Sequence, residues 1–467
     1  MTHHRPGLIP RLLGCDRGNI AVMFALSLIP VIASVGFGVD ITRAYAVKSR
    51  MAAALDAAAL AVGSSTGTNA QLQQIGTNFF KANFPNNTLD ATPSVTFSVS
   101  GDIITGNASA TIPTVIMNVV GINQLSVAAS STVMRKITGL ELAMVLDNTG
   151  SMTSNNNIGA LRDAATNLLS ILFGSYTTHP TLKIALVPYS AAVNPGSEAA
   201  GLVGAGAPYA PSDPAGWKGC VMERASPHTH ADAPATNALW NRYVWQPAVD
   251  NNYNPAVPST ILPDPSNGNG STGPNLGCPT AITPLTNVKA DLQAAVNAMA
   301  AWSRGGTLGD IGMAWGLRAL SPEAPFTQGQ PWNTKDLTKA VILMTDGNNE
   351  VYKLPGVAGP NNKNTAVNSD FTAYGRLDEL GMVGSTTISG AKTIIDGRLA
   401  TLCAEMKTKN IVIYTVTFTS NLSAATKLIY QTCASDPQKY FDSPTQADLK
   451  NAFTAIAVQL SNLRITQ

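Results

Sequence analysis

The run from Ile20 to Val39 carries no charged residue, and it constrains the chain more than any other stretch. Only Ser27, Pro30, Ser34, Gly36 and Gly38 interrupt its larger apolar side chains. Hydrocarbon leaves no backbone polar group a partner outside the segment, so such a run reads as a helix. At about 1.5 Å per residue it reaches about 30 Å, enough to cross a bilayer core. Pro30 predicts a kink, which membrane helices tolerate. The alternative is a cleaved signal peptide, but the apolar stretch is longer than the usual signal core and no A-x-A site follows it. Asp40, Arg43, Lys48 and Arg50 come directly after. We read residues 19–39 as an uncleaved transmembrane helix. Arg5, Arg11 and Arg17 precede it, so basic residues flank both ends and leave the orientation open.

The cysteines break the tie. Cys220, Cys278, Cys403 and Cys433 all lie beyond the apolar run, and Cys15 lies before it. No C-x-x-C pair occurs, which removes zinc-knuckle and thioredoxin-type readings. Four cysteines on one side suit two disulfides in an oxidising compartment. Cys220–Cys278 would bracket a long insertion and Cys403–Cys433 would lie in the late helical region; four buried free thiols are the alternative. Disulfides put residues 1–18 in the cytoplasm and the bulk of the chain outside. A net charge of +2, with 12% charged residues and no basic stripe, argues against a nucleic-acid partner.

Beyond the membrane the pattern changes twice. Val47, Met51, Leu55, Ala58 and Val62 form one apolar stripe at helical spacing, so residues 40–63 extend the helix until Gly63 ends it. Residues 64–92 are polar and read as loops. Val95, Phe97 and Val99, then Ala108, Ala110 and Ile112, then Leu125 to Val133, alternate with polar residues. This period of two predicts a small antiparallel sheet within residues 64–138, able to pack on the Val47–Val62 stripe. From residue 139 onward strands and helices alternate. Strands are expected at 140–146, 183–188, 339–345 and 411–418, and helices at 158–173, 288–302, 308–320, 388–408, 422–433 and 445–463. That order predicts a doubly wound, Rossmann-like α/β domain over 139–467. A Pro-, Gly- and Asn-rich insertion at 192–285, with Trp217, Trp240 and Trp245, interrupts it.

In such folds ligands sit at the carboxyl ends of strands. There the chain places Leu142-Ala-Met-Val-Leu-Asp-Asn-Thr-Gly-Ser151, where Asp147, Thr149 and Ser151 alternate across a turn. Thr307 follows in Gly305-Gly-Thr-Leu-Gly309, and Asp346 closes the apolar run Ala340-Val-Ile-Leu-Met-Thr-Asp346. Oxygen donors of this kind suit a hard divalent cation, Mg²⁺ first, with Mn²⁺ or Ca²⁺ as alternatives. Read alone, Asp-Asn-Thr-Gly-Ser is equally a helix-capping turn. The three pieces together resemble the von Willebrand factor A (vWA) domain and its metal-ion-dependent adhesion site. The resemblance implies a metal site of Asp147, Thr149, Ser151, Thr307 and Asp346, at which a protein partner's Asp or Glu completes the coordination.

A second resemblance lies at the other end. Arg17-Gly-Asn-Ile-Ala-Val-Met-Phe-Ala-Leu26, the proline in the apolar run and Leu55-Asp-Ala-Ala-Ala-Leu-Ala61 resemble the pilin-like segment of TadE/TadG-like proteins. Gly18 stands where prepilins are cleaved, and Met23 where they carry a Glu, which suits the larger TadG-like member. The two resemblances imply a membrane-anchored, extracytoplasmic component of Tad/Flp pilus assembly in a bacterial cell envelope, with other assembly components as partners. A surface adhesin binding host or matrix ligands and a metal-dependent hydrolase are the alternatives. An enzyme is not expected. No G-x-S-x-G or H-E-x-x-H occurs, and the histidines (His3, His4, His179, His228, His230) accompany no candidate nucleophile. His228-Thr-His230 lacks a third metal ligand at a familiar spacing.

Overall fold

The computed structural model describes residues 19–65, 69–85, 88–100, 103–134, 136–204, 217–232, 238–248, 250–257, 272–353, 369–420, 422–463 and 465–466. Cys15, Gly18 and the first arginines lie outside the described residues, as do segments 205–216, 233–237 and 258–271 of the insertion. The chain forms two compact units, Met1–Lys136 with Ile465–Gln467, and Ile137–Arg464.

In the first unit α1 (Asn19–Gly63) is one helix that continues through Pro30. Among the described residues one helix is long and apolar enough to cross a membrane, and it is this one. Its large apolar side chains from Ile20 to Ile41 are exposed, whereas Ala44, Val47, Met51, Leu55, Ala58 and Val62 are buried. The change marks where the protein's own core begins. That core is completed by α2 (Asn69–Asn83) and an antiparallel sheet of β1 (Thr92–Ser100), β2 (Ile103–Pro113) and β3 (Gln124–Met134). Helix α2 corrects the expectation of loops over 64–92. Its Gln- and Asn-rich face hides a helix that buries little beyond Leu72 and Phe80. At Gly76 a Cβ would lie 2.6 Å from the Phe97 ring, so the glycine sets how closely α2 approaches β1.

The second unit is the expected doubly wound α/β fold. In chain order it runs β4 (Gly139–Asp147), α3 (Asn157–Phe173), β5 (Leu182–Tyr189), β6 (Thr283–Thr286), α4 (Lys289–Ala298), β7 (Gly306–Thr307), α5 (Gly309–Leu320), β8 (Leu337–Thr345), β9 (Glu350–Val351), α6 (Ile388–Thr408), β10 (Val412–Thr417), α7 (Ala424–Cys433), β11 (Tyr440–Asp442) and α8 (Gln446–Leu463). The main sheet has the order β11-β10-β8-β4-β5-β6, parallel throughout except for the edge strand β6. Along β4 the side chains divide by parity. Ala143 and Val145 enter the core shared with α5 and α6, while Leu140, Leu142, Met144 and Leu146 enter the core shared with α3 and α8. A strand covered on both faces reads as a continuous apolar run, which is how β4 and β8 look in the sequence. The edge strands β6 and β11 are additions to the expected set.

Cys220–Cys278 and Cys403–Cys433 are disulfides, closing separations of 58 and 30 residues. The first ties the insertion to the main core, where Val221, Met222, Trp240, Tyr243 and Trp245 are also buried. Loop-closure entropy puts the cost of Cys220→Ser with Cys278→Ser at about 4 kcal/mol. All six tryptophans lie between Trp217 and Trp332, within the second unit. Tryptophan fluorescence should therefore report a markedly lower melting temperature for the double variant, and an unchanged one would contradict the ordering role of this bridge.

Candidate functional site

Strands β4 and β8 are neighbours and parallel, so their carboxyl ends fall side by side. Asp147 ends β4, and Asp346 follows the last residue of β8. The chain leaving β4 turns sharply: the Thr149 N–H donates to Asp147 Oδ1 at 2.8 Å. The Trp302 N–H meets the Asn148 carbonyl at 2.7 Å, and the Asn148 N–H meets that of Tyr189 at 2.8 Å. This turn presents two hydroxyls in sequence. Thr149 Oγ1 lies 2.9 Å from Ser151 Oγ, and Ser151 Oγ donates to Asp346 Oδ1 at 2.6 Å. Four of the five expected ligands thus form one connected set.

Thr307 reaches the same neighbourhood by another route. It pairs with Glu350 in the short β7–β9 ribbon, and its Oγ1 lies 4.0 Å from where a Gly347 Cβ would stand. No hydrogen bond joins its hydroxyl to the other four. The approach depends on glycine. Gly305 and Gly306 have φ of +83° and +132°, and a Cβ on Gly306 would fall 2.1 Å from the Glu350 carbonyl oxygen. Asn349 fixes the loop from behind, accepting from the Gly309 N–H at 3.0 Å and donating to Asp396 at 2.9 Å. Asn348 accepts from the Thr426 hydroxyl at 2.6 Å. Both asparagines hold the loop around Asp346.

Two contributors were not expected from the sequence. Thr345 Oγ1 lies 2.8 Å from Asp147 Oδ2, and the buried Tyr189 hydroxyl lies 3.4 Å from the same oxygen. Register could have revealed Tyr189, since it stands opposite Asp147 in the β4–β5 pair. Farther back, Tyr374 donates to Asp310 at 2.6 Å and lies 2.7 Å from His230 Nε2. His230 is thus a partnered interior residue. Among the described residues no cluster of three or more His, Cys, Asp or Glu side chains is placed to hold a metal.

Asp147 is fully buried and Asp346 nearly so, yet among the described residues neither carboxylate has an ion-pair partner. Burial pushes the Asp147 carboxyl up, against hydrogen bonds from Thr149, Thr345 and the Asp346 N–H. Burial, followed by the facing Asp147 charge, pushes Asp346 up to about 7. Buried like charges disfavour joint ionisation. The set opens onto a cleft of about 650 Å³ lined by Ser151 and Asp346 together with Asn155, Phe418, Thr419 and Gln446. It is therefore an acidic, all-oxygen donor group with a deficit of positive charge and a path to solvent.

A pH dependence follows for the protein in chelator. Because the folded state holds the Asp346 proton more tightly than the unfolded chain, its stabilising contribution is whole below about 3.8 and lost as pH rises through about 7. The melting temperature of wild type should fall relative to Asp346→Asn across that window. A difference that stays constant with pH would contradict the burial of Asp346 beside Asp147.

The Flp pilus-assembly TadE/G-like family model (Tad) matches residues 18–65, which cover α1 and no part of the second unit. No curated protein matches the chain. Among solved structures, the vWF domain of the type V pili tip protein Mfa5 from Porphyromonas gingivalis is similar at 12% identity, covering 71% of this chain and 97% of that one, with a TM-score of 0.38. The pilus adhesin SpaC from Lactobacillus rhamnosus GG is similar at 13% identity, over 81% of this chain and 35% of its own length, with a TM-score of 0.36. Proximal thread matrix protein 1 from the mussel byssus, in a form with a zinc-occupied MIDAS motif, is similar at 10% identity over 70% of this chain and 47% of its own, with a TM-score of 0.33. The chain thus spans about a third of SpaC and about half of the byssus protein. At these TM-scores the likenesses support no inference about what this chain binds. What is similar to a known family by sequence is the N-terminal helix, which matches the TadE/G-like model over residues 18–65.

Proposed function

We propose that this protein is a membrane-anchored, extracytoplasmic component of Tad/Flp pilus assembly whose vWA-like second unit binds protein partners through a divalent cation. The carrying observation is the convergence of Asp147 and Asp346, linked through Thr149 and Ser151, without a protein cation beside them. Asp147, Thr149, Ser151, Thr307 and Asp346 would hold the ion, Mg²⁺ or a similar hard cation. Once bound, it would supply the missing positive charge and an acceptor for a carboxylate from outside. The chain's own contribution is to fix the donors. The Thr149 N–H and the Thr345 hydroxyl orient Asp147, and Ser151 orients Asp346. The cleft beside Ser151 and Asp346 would admit the partner's Asp or Glu.

The TadE/G-like match over α1 supports the pilus setting, and the two disulfides support an oxidising compartment for the second unit. The reading is non-catalytic: the two acidic groups serve as ligands. In the source bacterium, deleting the gene should remove surface pili. Wild type should restore them, and Asp346→Ala, expressed at the same level, should not. Full piliation by the Asp346→Ala variant would remove the cation site from assembly. Loss of host or matrix binding with pili intact would instead favour a free adhesin.

A further inference from the structure

Gly36, inside the charge-free run, is buried although the large side chains around it are exposed. What covers it is Ile116: a Cβ on Gly36 would stand 2.2 Å from Ile116 Cγ2. One turn later, Asp40 accepts backbone N–H groups of Val115 at 3.0 Å, Ile116 at 3.0 Å and Met117 at 2.8 Å. These bonds, that of Met117 foremost, hold its carboxyl below the ordinary range. Two independent contacts therefore fix the β2–β3 connection against the last turn of the apolar run.

The composition of that connection fits the position. From Ile103 to Met134 the chain contains no Asp, Glu, Lys or Arg. Within the connection Val115, Val119, Val120 and Ile122 are exposed, at 59%, 77%, 52% and 42%. Four large aliphatic side chains facing outward on one short segment need a cover. Nearby charge is placed where headgroups begin: Arg43 pairs with Asp90 at 3.1 Å and approaches the Pro113 carbonyl at 3.4 Å. The opposite end of the sheet, where Ile103 pairs with Met134, lies by Gly63. That end is about 35–40 Å farther along α1 at the helical rise per residue.

We infer that residues 115–122 form a second membrane contact, in which Val115, Val119, Val120 and Ile122 rest in the headgroup–acyl boundary beside the outer end of the transmembrane helix. The occupant is lipid because the patch continues the apolar surface of a membrane-spanning segment at the same depth; the inference rests on the membrane-anchor reading above. Interfacial segments of this kind bury their apolar face about 5–10 Å into that boundary. One consequence is orientation. A helix alone can tilt and rotate, whereas a helix with a lateral apolar foot presents the first unit to its surroundings from one side.

The test uses the full-length chain with Cys15→Ser, reconstituted in phosphatidylcholine–phosphatidylglycerol vesicles. A thiol-reactive NBD dye is placed at Val119→Cys, Val120→Cys, Phe37→Cys or Met134→Cys, and quenched with lipids doxyl-labelled near the headgroup. Quenching at 119 and 120 comparable to that at 37, with little at 134, supports the inference. Quenching at 37 without quenching at 119 or 120 overturns it while leaving the anchor intact. Crosslinking between copies at position 119 in that case would identify a second chain as the cover. Absence of quenching at 37 removes the anchor and the inference with it. Equal quenching at 134 also overturns it, because the whole sheet would then lie on the membrane.

Discussion

Arg318→Met should lower the melting temperature of the second unit by about 4–7 °C while leaving the membrane helix in place. Arg318 lies on α5 and is almost wholly buried, with its guanidinium forked onto Glu223 at 3.0 and 2.9 Å. Burial alone would raise the Glu223 carboxyl. Arg318, with His230 and the Arg224 N–H, outweighs that and holds it below its ordinary range. Removing the guanidinium leaves a buried carboxylate without its partner, which costs about 3–5 kcal/mol. At roughly 1.5 °C per kcal/mol for a unit as long as Ile137–Arg464, the shift is still readable by tryptophan fluorescence. Arg318→Met with Glu223→Leu should recover much of the loss, because a buried pair adds little over a well-packed apolar replacement. A single variant as stable as wild type would mean that Glu223 is not held in this pairing.

Asp147→Ala and Asp346→Ala should each abolish stabilisation by added Mg²⁺ or Mn²⁺ without unfolding the unit. A ligand that binds only the folded state contributes RT ln(1 + [L]/Kd), about 2.7 kcal/mol at a hundredfold excess over Kd. Wild type should therefore melt higher in Mg²⁺ than in chelator, by several degrees. Both carboxylates sit at strand ends, outside the two apolar clusters, so removing either relieves repulsion without emptying the apolar core, although Asp147→Ala also takes the acceptor from the Thr149 N–H. In chelator Asp346→Ala should melt at or above wild type, whereas Asp147→Ala should stay folded but melt somewhat lower, because the buried Thr149 N–H loses its acceptor. A cation response that survives both substitutions would place the ion elsewhere.

The parts of this fold that the sequence reveals are those where one physical demand acts over many residues. Buried parallel strands such as β4 and β8 are uninterrupted apolar runs, and the helices α3, α6 and α8 carry long periodic stripes. Strands β6 and β11, four and three residues long, are too short to show a period. Helix α2 was hidden for a different reason, since its Gln, Asn and Thr residues resemble a loop until tertiary contact buries Leu72 and Phe80.

The candidate site divides along the same line. Asp147, Thr149 and Ser151 lie within five residues, and Asp346 is marked by the strand before it. Thr345 and Tyr189 became contributors only through sheet register. Glu223 and Arg318, or His230, Tyr374 and Asp310, come from the insertion and from helices or loops far along the chain. No local spacing encodes those pairings.

Titration calorimetry of the full-length protein in detergent, first with Mg²⁺ and then with Mn²⁺, tests the central claim most directly. One ion should bind per chain in wild type, and binding should disappear in both Asp147→Ala and Asp346→Ala while their folded signal in chelator is retained. Wild type that binds neither ion, or alanine variants that bind as wild type does, would contradict the cation site and leave Asp147-Asn-Thr-Gly-Ser151 as a structural turn.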